Sequence, residues 1–193
     1  FIPEQNHGCA SLIINESFFK ESLEMRRLLL RGMDALITNV PGYCVCVTTA
    51  DCVPVLLYDK KQHVVAAVHA GWKGTVKHIV SHVMDHLNQK FGTQGEDVIA
   101  CIGPSISLES FEVGDEVYDA FEESGFDMSL ISMKKKETGK YHIDLWEANR
   151  IELLNLGVPA EQIEVAGICT YIHHDEFFSA RRLGIDCLLY PSD

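Results

Sequence analysis

The sequence predicts an α/β fold built as a layered sandwich, and three observations lead there. Short β-branched runs recur along the 193 residues, amphipathic stretches are interspersed among them, and at least one pair of runs is joined too closely to be parallel. Strands and helices mix without the strict alternation of a doubly wound sheet. A hydrophobic content of 47% suits one compact domain with a sizeable buried core.

The runs read as strands are Cys44–Thr49, Val53–Tyr58, Val64–Ala70, Val98–Ile102, Ile163–Cys169 and Ile185–Tyr190, most bounded by Gly, Pro or charged turns. Many are apolar on both faces, the pattern of strands covered on both sides. The clearest helix spans Thr75–Phe91, where Val76, Ile79, Val80, Val83, Met84, Leu87 and Phe91 recur at helical spacing. A second covers roughly Val113–Glu123. A third runs from about Leu145 to Leu156 and is stopped by Gly157, with Pro159 beyond.

The formal net charge is −12, from 28 acidic and 16 basic residues. Such a field repels nucleic acid and anionic membrane, so a phosphate-bearing ligand needs a local pocket of donors. No apolar run approaches the roughly 20 residues that span a bilayer. Seven cysteines is an odd count. Cys44, Cys46, Cys101, Cys169 and Cys187 lie in apolar runs and read as small buried hydrophobes of a reducing compartment, with cytoplasm as the default. The chain opens at Phe1 inside an apparently extended segment, without an initiator Met, and reads as lacking upstream residues.

Only Asp59-Lys60-Lys61-Gln62-His63 separates Val53–Tyr58 from Val64–Ala70, so these strands are expected to pair antiparallel. With the turn centred between Lys60 and Lys61, Cys52 falls opposite His69. Opposed side chains share a face with Cβ atoms about 4.5–5.5 Å apart, which suits two ligands of one metal or a thiol–imidazole pair. A buried core cysteine beside an unrelated strand-end histidine is the bland alternative. His7, in Gln5-Asn6-His7-Gly8, is a third ligand candidate. Two His and one Cys suit a tetrahedral zinc with an open fourth position, and copper is chemically admissible.

Gly71-Trp72-Lys73-Gly74-Thr75 leads into the long helix but lacks Walker spacing. Glycines at a helix start present backbone N–H groups to an anion, and Lys73 adds charge; an ordinary strand-to-helix turn explains the segment equally well. His78, His82 and His86 lie at i, i+4, i+8 on the face opposite the apolar stripe and read as solvated. His173-His174-Asp175 reads as a surface turn.

Gln5-Asn6-His7-Gly8, Thr49-Ala50-Asp51-Cys52-Val53-Pro54-Val55 and His69-Ala70-Gly71-Trp72-Lys73-Gly74-Thr75 together resemble the signature of the YfiH-like laccase-domain family. Further matches are Ile102-Gly103-Pro104-Ser105-Ile106, Phe111-Glu112-Val113-Gly114, Asp144-Leu145 with Asn149, Cys169-Thr170, and Phe178-Ser179-Ala180-Arg181-Arg182. The resemblance covers nearly the whole chain. It implies a single-domain four-layer α/β/β/α sandwich with mixed sheets, usually monomeric, and one catalytic zinc on His7, Cys52 and His69. It also implies phosphorolysis of adenosine, inosine and methylthioadenosine, together with adenosine deamination. The chain departs from the family pattern at Ser105, at Ala180 and over Leu183-Gly184-Ile185-Asp186, which touches the C-terminal part of the substrate pocket.

Deamination needs a metal-activated water at purine C6 and a carboxylate proton shuttle, for which Asp51 is the candidate; its alternative role is a turn residue. Phosphorolysis needs anion donors, best placed at Lys73, Arg181, Arg182 and the Gly71 and Gly74 amides, with Arg181 favoured for bidentate geometry. Three other readings stand beside this one. The first is a cysteine hydrolase or amidase with Cys52 as nucleophile and His69 as base. The second is a copper-dependent polyphenol oxidase, for which nine histidines are few. The third is a non-enzymatic ligand-binding protein that retains the fold.

Overall fold

The computed structural model describes residues 1–184. The expected strand Ile185–Tyr190, with Cys187, lies outside the described residues. In chain order the elements are β1 (Ser11–Ile13), α1 (Glu16–Lys20), α2 (Leu23–Leu29), β2 (Ala35–Thr38), β3 (Val53–Asp59), β4 (Val64–Ala70), α3 (Trp72–Val76), α4 (Ile79–Phe91) and β5 (Val98–Ile102). There follow β6 (Glu112–Val113), α5 (Asp115–Glu123), α6 (Met128–Ile131), β7 (Ser132–Lys134), β8 (Tyr141–Ile143), α7 (Leu145–Asn155), β9 (Ile163–Val165) and α8 (Ala180–Leu183). They form the mixed α/β architecture that the sequence predicts.

A six-stranded sheet has the order β1-β2-β4-β3-β5-β9, and a three-stranded sheet the order β6-β8-β7. The large sheet is mixed, with parallel pairs at its edges and antiparallel pairs between. Period-2 alternation splits its two faces. Ala35, Val68, Val55 and Ile102 are aligned across four strands and belong to the main core. In the next row Leu36 and Ala67 pack under Phe18 and Val45, while Leu56 is 51% exposed. Helices α3 and α4 cover β4, and α7 lies on β5. Residues of the small sheet and α5, among them Val113, Val117, Phe121 and Ile143, complete the same core.

The β3–β4 hairpin forms as expected, but its register is shifted by two residues: Pro54 faces His69 and Val53 faces Ala70. A shift of two keeps every side chain on its face, so Cys52 and His69 are diagonal rather than direct neighbours. The expected strand Cys44–Thr49 is not assigned as one, and Ile163–Cys169 is ordered only as β9 plus a single bridge from Cys169 to Ser105. Cys44 is exposed and Cys46 and Cys101 are half-buried; Cys169 is buried as expected.

The helix expected over Thr75–Phe91 is broken at His78, which adopts φ 56° between α3 and α4. Tertiary contacts hold this otherwise disfavoured conformation. The His78 ring stacks on Phe126 at 5.1 Å, and its Nε2 lies 3.0 Å from Ser124 O. Glu152 of α7 supplies the cap that α4 lacks, its Oε1 accepting from Ser81 N at 3.0 Å and Ser81 Oγ at 2.6 Å. His78 is therefore engaged rather than solvated. His86 bonds Ser11 Oγ at 2.8 Å, while His82 and the His173-His174-Asp175 turn are exposed as expected. The helix α7 begins at the Asp144 cap and stops before Gly157, whose φ of 84° suits glycine.

Candidate metal centre

Three chain segments bring the centre together. His7 comes from the loop before β1, Cys52 stands one residue before β3, and His69 lies near the end of β4. One ligand atom from each lies within 4.8 Å of the other two. The two rings meet edge-on with centroids 4.8 Å apart. Among the described residues this is the one such group of three His, Cys, Asp or Glu donors.

Asp34, fully buried just before β2, holds two of the three candidate donors in place. Its Oδ1 lies 2.8 Å from His69 Nδ1 and accepts the His7 N–H at 2.9 Å; its Oδ2 accepts the Gly8 N–H at 2.7 Å. With Nδ1 committed to the carboxylate, His69 turns Nε2 toward the centre, the arrangement that metal-ligating histidines favour. His7 itself has φ 61°, held by those bonds. Sequence reasoning missed Asp34; its one trace is a lone acid ahead of the apolar run Ala35-Leu36-Ile37.

Glycine is required where this loop meets the helix start. A Cβ at Gly71 would stand 2.9 Å from Cys52 Sγ and 3.3 Å from His7 Cδ2, and one at Gly74 would stand 3.1 Å from Gly8 O. Gly71 and Gly74 thus permit the close approach of the His7 loop. The segment opens the five-residue α3, not the long helix, and Lys73 is exposed with Nζ 5.6 Å from the Trp72 ring.

Burial pushes the Cys52 thiol up to about 11, and the nearby Asp51 and Asp34 carboxylates add to the rise. Burial likewise lowers the His69 imidazole below its ordinary range, against the pull of Asp34 and with the help of His7. A neutral thiol and a neutral imidazole therefore face one another. A divalent cation bound there would take the place of the thiol proton and offset the unfavourable burial of a thiolate. Two imidazoles and one soft sulfur match zinc, and copper matches them as well.

Asp51 is buried with φ 83°. Its Oδ1 accepts from Thr170 Oγ1 at 2.7 Å, its Oδ2 from Arg181 N at 2.7 Å, and its carbonyl from Ile106 N at 3.0 Å. It thereby ties the C-terminal segment to the residue preceding Cys52. The Arg181 guanidinium donates to Glu112 O at 2.7 Å and lies 5.3 Å from the Phe111 ring; that of Arg182 lies 5.1 Å from the Tyr171 ring. A shallow depression of about 450 Å³, lined by Asn15, Glu16, Ser17, Asn39, Val40 and Pro41, carries none of these groups.

The family model described as multi-copper polyphenol oxidoreductase laccase matches residues 1–187. The chain belongs to that family. It is 62% identical over 184 residues to a purine nucleoside phosphorylase of Bacteroides thetaiotaomicron, covering 95% of this chain and 68% of that protein. Adenosine deaminase RL5, from an unknown prokaryotic organism, is 42% identical across 96% of this chain and 70% of its own length. The crystal structure of the Bacillus licheniformis hypothetical protein YfiH superposes with TM-score 0.84 at 32% identity, covering 94% of this chain and 68% of that one. This laccase-family chain thus spans about two thirds of each, and its curated relatives are enzymes. Despite the family description, the described residues assemble a single three-donor group.

Proposed function

We propose that this chain carries the centre of a zinc-dependent purine nucleoside phosphorylase. The substrates are adenosine, inosine and methylthioadenosine, giving free base and ribose 1-phosphate, with adenosine deamination as a second activity. One observation carries the reading: His7, Cys52 and His69 converge within 4.8 Å while Asp34 orients the His69 imidazole and holds the His7 backbone. The names of the Bacteroides thetaiotaomicron phosphorylase and of deaminase RL5 supply the substrate class.

His7, Cys52 and His69 would hold the ion, which supplies a Lewis acid at the reacting centre. Asp34 fixes the His69 tautomer by accepting from Nδ1. Arg181, Arg182 and Lys73, with the backbone amides at Gly71 and Gly74, gather the phosphate in a chain of net charge −12. Both Asp51 oxygens already accept hydrogen bonds. We therefore assign Asp51 to holding Thr170 and Arg181 beside the Cys52 end of β3.

The line Asp34–His69–Cys52 also has the order of an orienter, base and nucleophile, which favours a cysteine hydrolase as the second reading. The third donor, His7, and a thiol pushed up to about 11 speak for a metal instead. The test is elemental analysis of the full-length protein with adenosine turnover, with and without phosphate, for wild type and Cys52→Ala. Near-stoichiometric zinc and phosphate-dependent adenine release, both lost in the variant, are expected. Metal-free protein whose Cys52 reacts readily with iodoacetamide would move the assignment to the hydrolase.

A further inference from the structure

Cys44 and Cys46 form a second cluster of metal-ligating side chains, outside the His7–Cys52–His69 centre. Their sulfurs lie 3.5 Å apart, with Cys44 exposed and Cys46 half-buried. The backbone explains the pairing. Cys46 N donates to Phe1 O at 2.9 Å and the Phe1 nitrogen donates to Cys44 O at 2.5 Å, the two bonds of a parallel bridge centred on Val45. Such a bridge holds residues 44–46 extended, so that i and i+2 leave on one side. Val45 and Val47 take the other side and pack with Leu36 and Phe18. The cysteines consequently face outward together, although composition alone reads them as buried hydrophobes.

The segment is held from both ends. Tyr43 packs on Phe19, its ring tilted by 32° with centroids 4.2 Å apart, and Thr48 N donates to Gln5 Oε1 at 2.8 Å. Two thiols are thus presented to solvent on an anchored backbone. Two sulfurs bound at about 2.3 Å to a tetrahedral ion stand about 3.8 Å apart, within a few tenths of an ångström of the spacing observed. A disulfide requires closing the sulfurs to about 2.05 Å, with Cα atoms usually about 4.4–6.8 Å apart. Extended residues i and i+2 are at the upper end of that range, at about 3.3 Å rise per residue.

We propose that Cys44 and Cys46 are an open dithiolate site for a soft, thiophilic metal ion, for which Cu(I) is the probe. Binding replaces both thiol protons, which pass to solvent, and leaves the remaining coordination positions to small ligands.

The experiment is an anaerobic Cu(I) titration of the full-length, reduced protein against a competing chelator. It compares wild type, Cys44→Ser, Cys46→Ser and Cys52→Ala. Wild type should take up one equivalent more than either serine variant, and Cys52→Ala should retain that equivalent. The exposed position of Cys44 makes loss of folding an unsuitable explanation for its variant, and circular dichroism checks it. Equal Cu(I) uptake by wild type and both serine variants would overturn the proposal. So would a Cys44–Cys46 disulfide that persists in mild reductant.

Discussion

Asp34 illustrates how one side chain can set a site it does not join. Its carboxylate takes the His7 and Gly8 amides and the His69 ring, so the His7 loop and β4 are oriented by a single buried charge. An amide in its place turns a donor toward one of those N–H groups. Asp34→Asn should therefore weaken metal binding about 10- to 100-fold with the fold retained, as read by chelator competition and circular dichroism. Unchanged affinity would remove Asp34 from ligand orientation. None of this is visible in the sequence, because the partners of Asp34 lie 26 to 35 positions away. The candidate donors themselves were legible, since His7, Cys52 and His69 sit in motifs that carry metal-ligating residue types, and their convergence is seen in the structure.

The break between α3 and α4 shows the same logic at the level of elements. Apolar periodicity runs through Val76, Ile79 and Val80 and predicts one continuous helix, yet His78 interrupts it and Glu152 caps the second part. Glu152→Ala removes an acceptor from Ser81 N and Oγ and should cost about 1–2 kcal/mol, measured by the denaturant midpoint. Burial also raises the Glu152 carboxyl above its ordinary range, and Oε2 has no hydrogen-bond partner among the described residues. Because the folded-state value is raised, the stabilisation is full below the ordinary Glu range and is lost as pH rises through the folded value. Glu152→Gln should flatten that part of the pH–stability curve while keeping the cap. The strand register belongs to this scale too. The turn length predicted a hairpin with the correct face for Cys52, and the two-residue shift arose because the turn occupies residues 60–63, centred between Lys61 and Gln62, where Asp59 Oδ1 accepts from Lys61 N and Gln62 N and His63 takes φ 54°.

For the whole molecule, the centre links segments near residues 7, 34, 52 and 69, so a bound ion acts as a staple across the large sheet. Metal at about 100 times its Kd should stabilise the fold by about 2.7 kcal/mol, and chelation should remove that increment from Tm. The increment should shrink as pH falls. Metal binding must displace the proton of a thiol held at about 11, a demand that grows with acidity. Without metal, the lowered His69 value leaves stability unaffected above the ordinary His range and reduces it below that range, where the unfolded chain takes up the proton more readily. Thermal melts with and without zinc between about pH 8 and about pH 6 check both signs. An increment independent of pH would argue against thiolate ligation.

The amino-acid pattern by itself determined the α/β class, the hairpin and the stop of α7 at Gly157, because these depend on periodicity and turn residues that are local; it offered His7, Cys52 and His69 as candidate donors, and packing brings their ligand atoms within 4.8 Å of one another. Other features waited for the tertiary structure. They include the role of Asp34, the clamp made by Asp51, the outward pairing of Cys44 and Cys46, the short strands β1, β6, β7 and β8, and the break at His78. Apart from the local β7–β8 pair, these rest on partners far along the chain, such as Thr170 and Arg181 for Asp51 or Phe1 for Cys46. A sequence states which groups are present, and only packing decides which of them share a buried space in which hydrogen bonds must be satisfied.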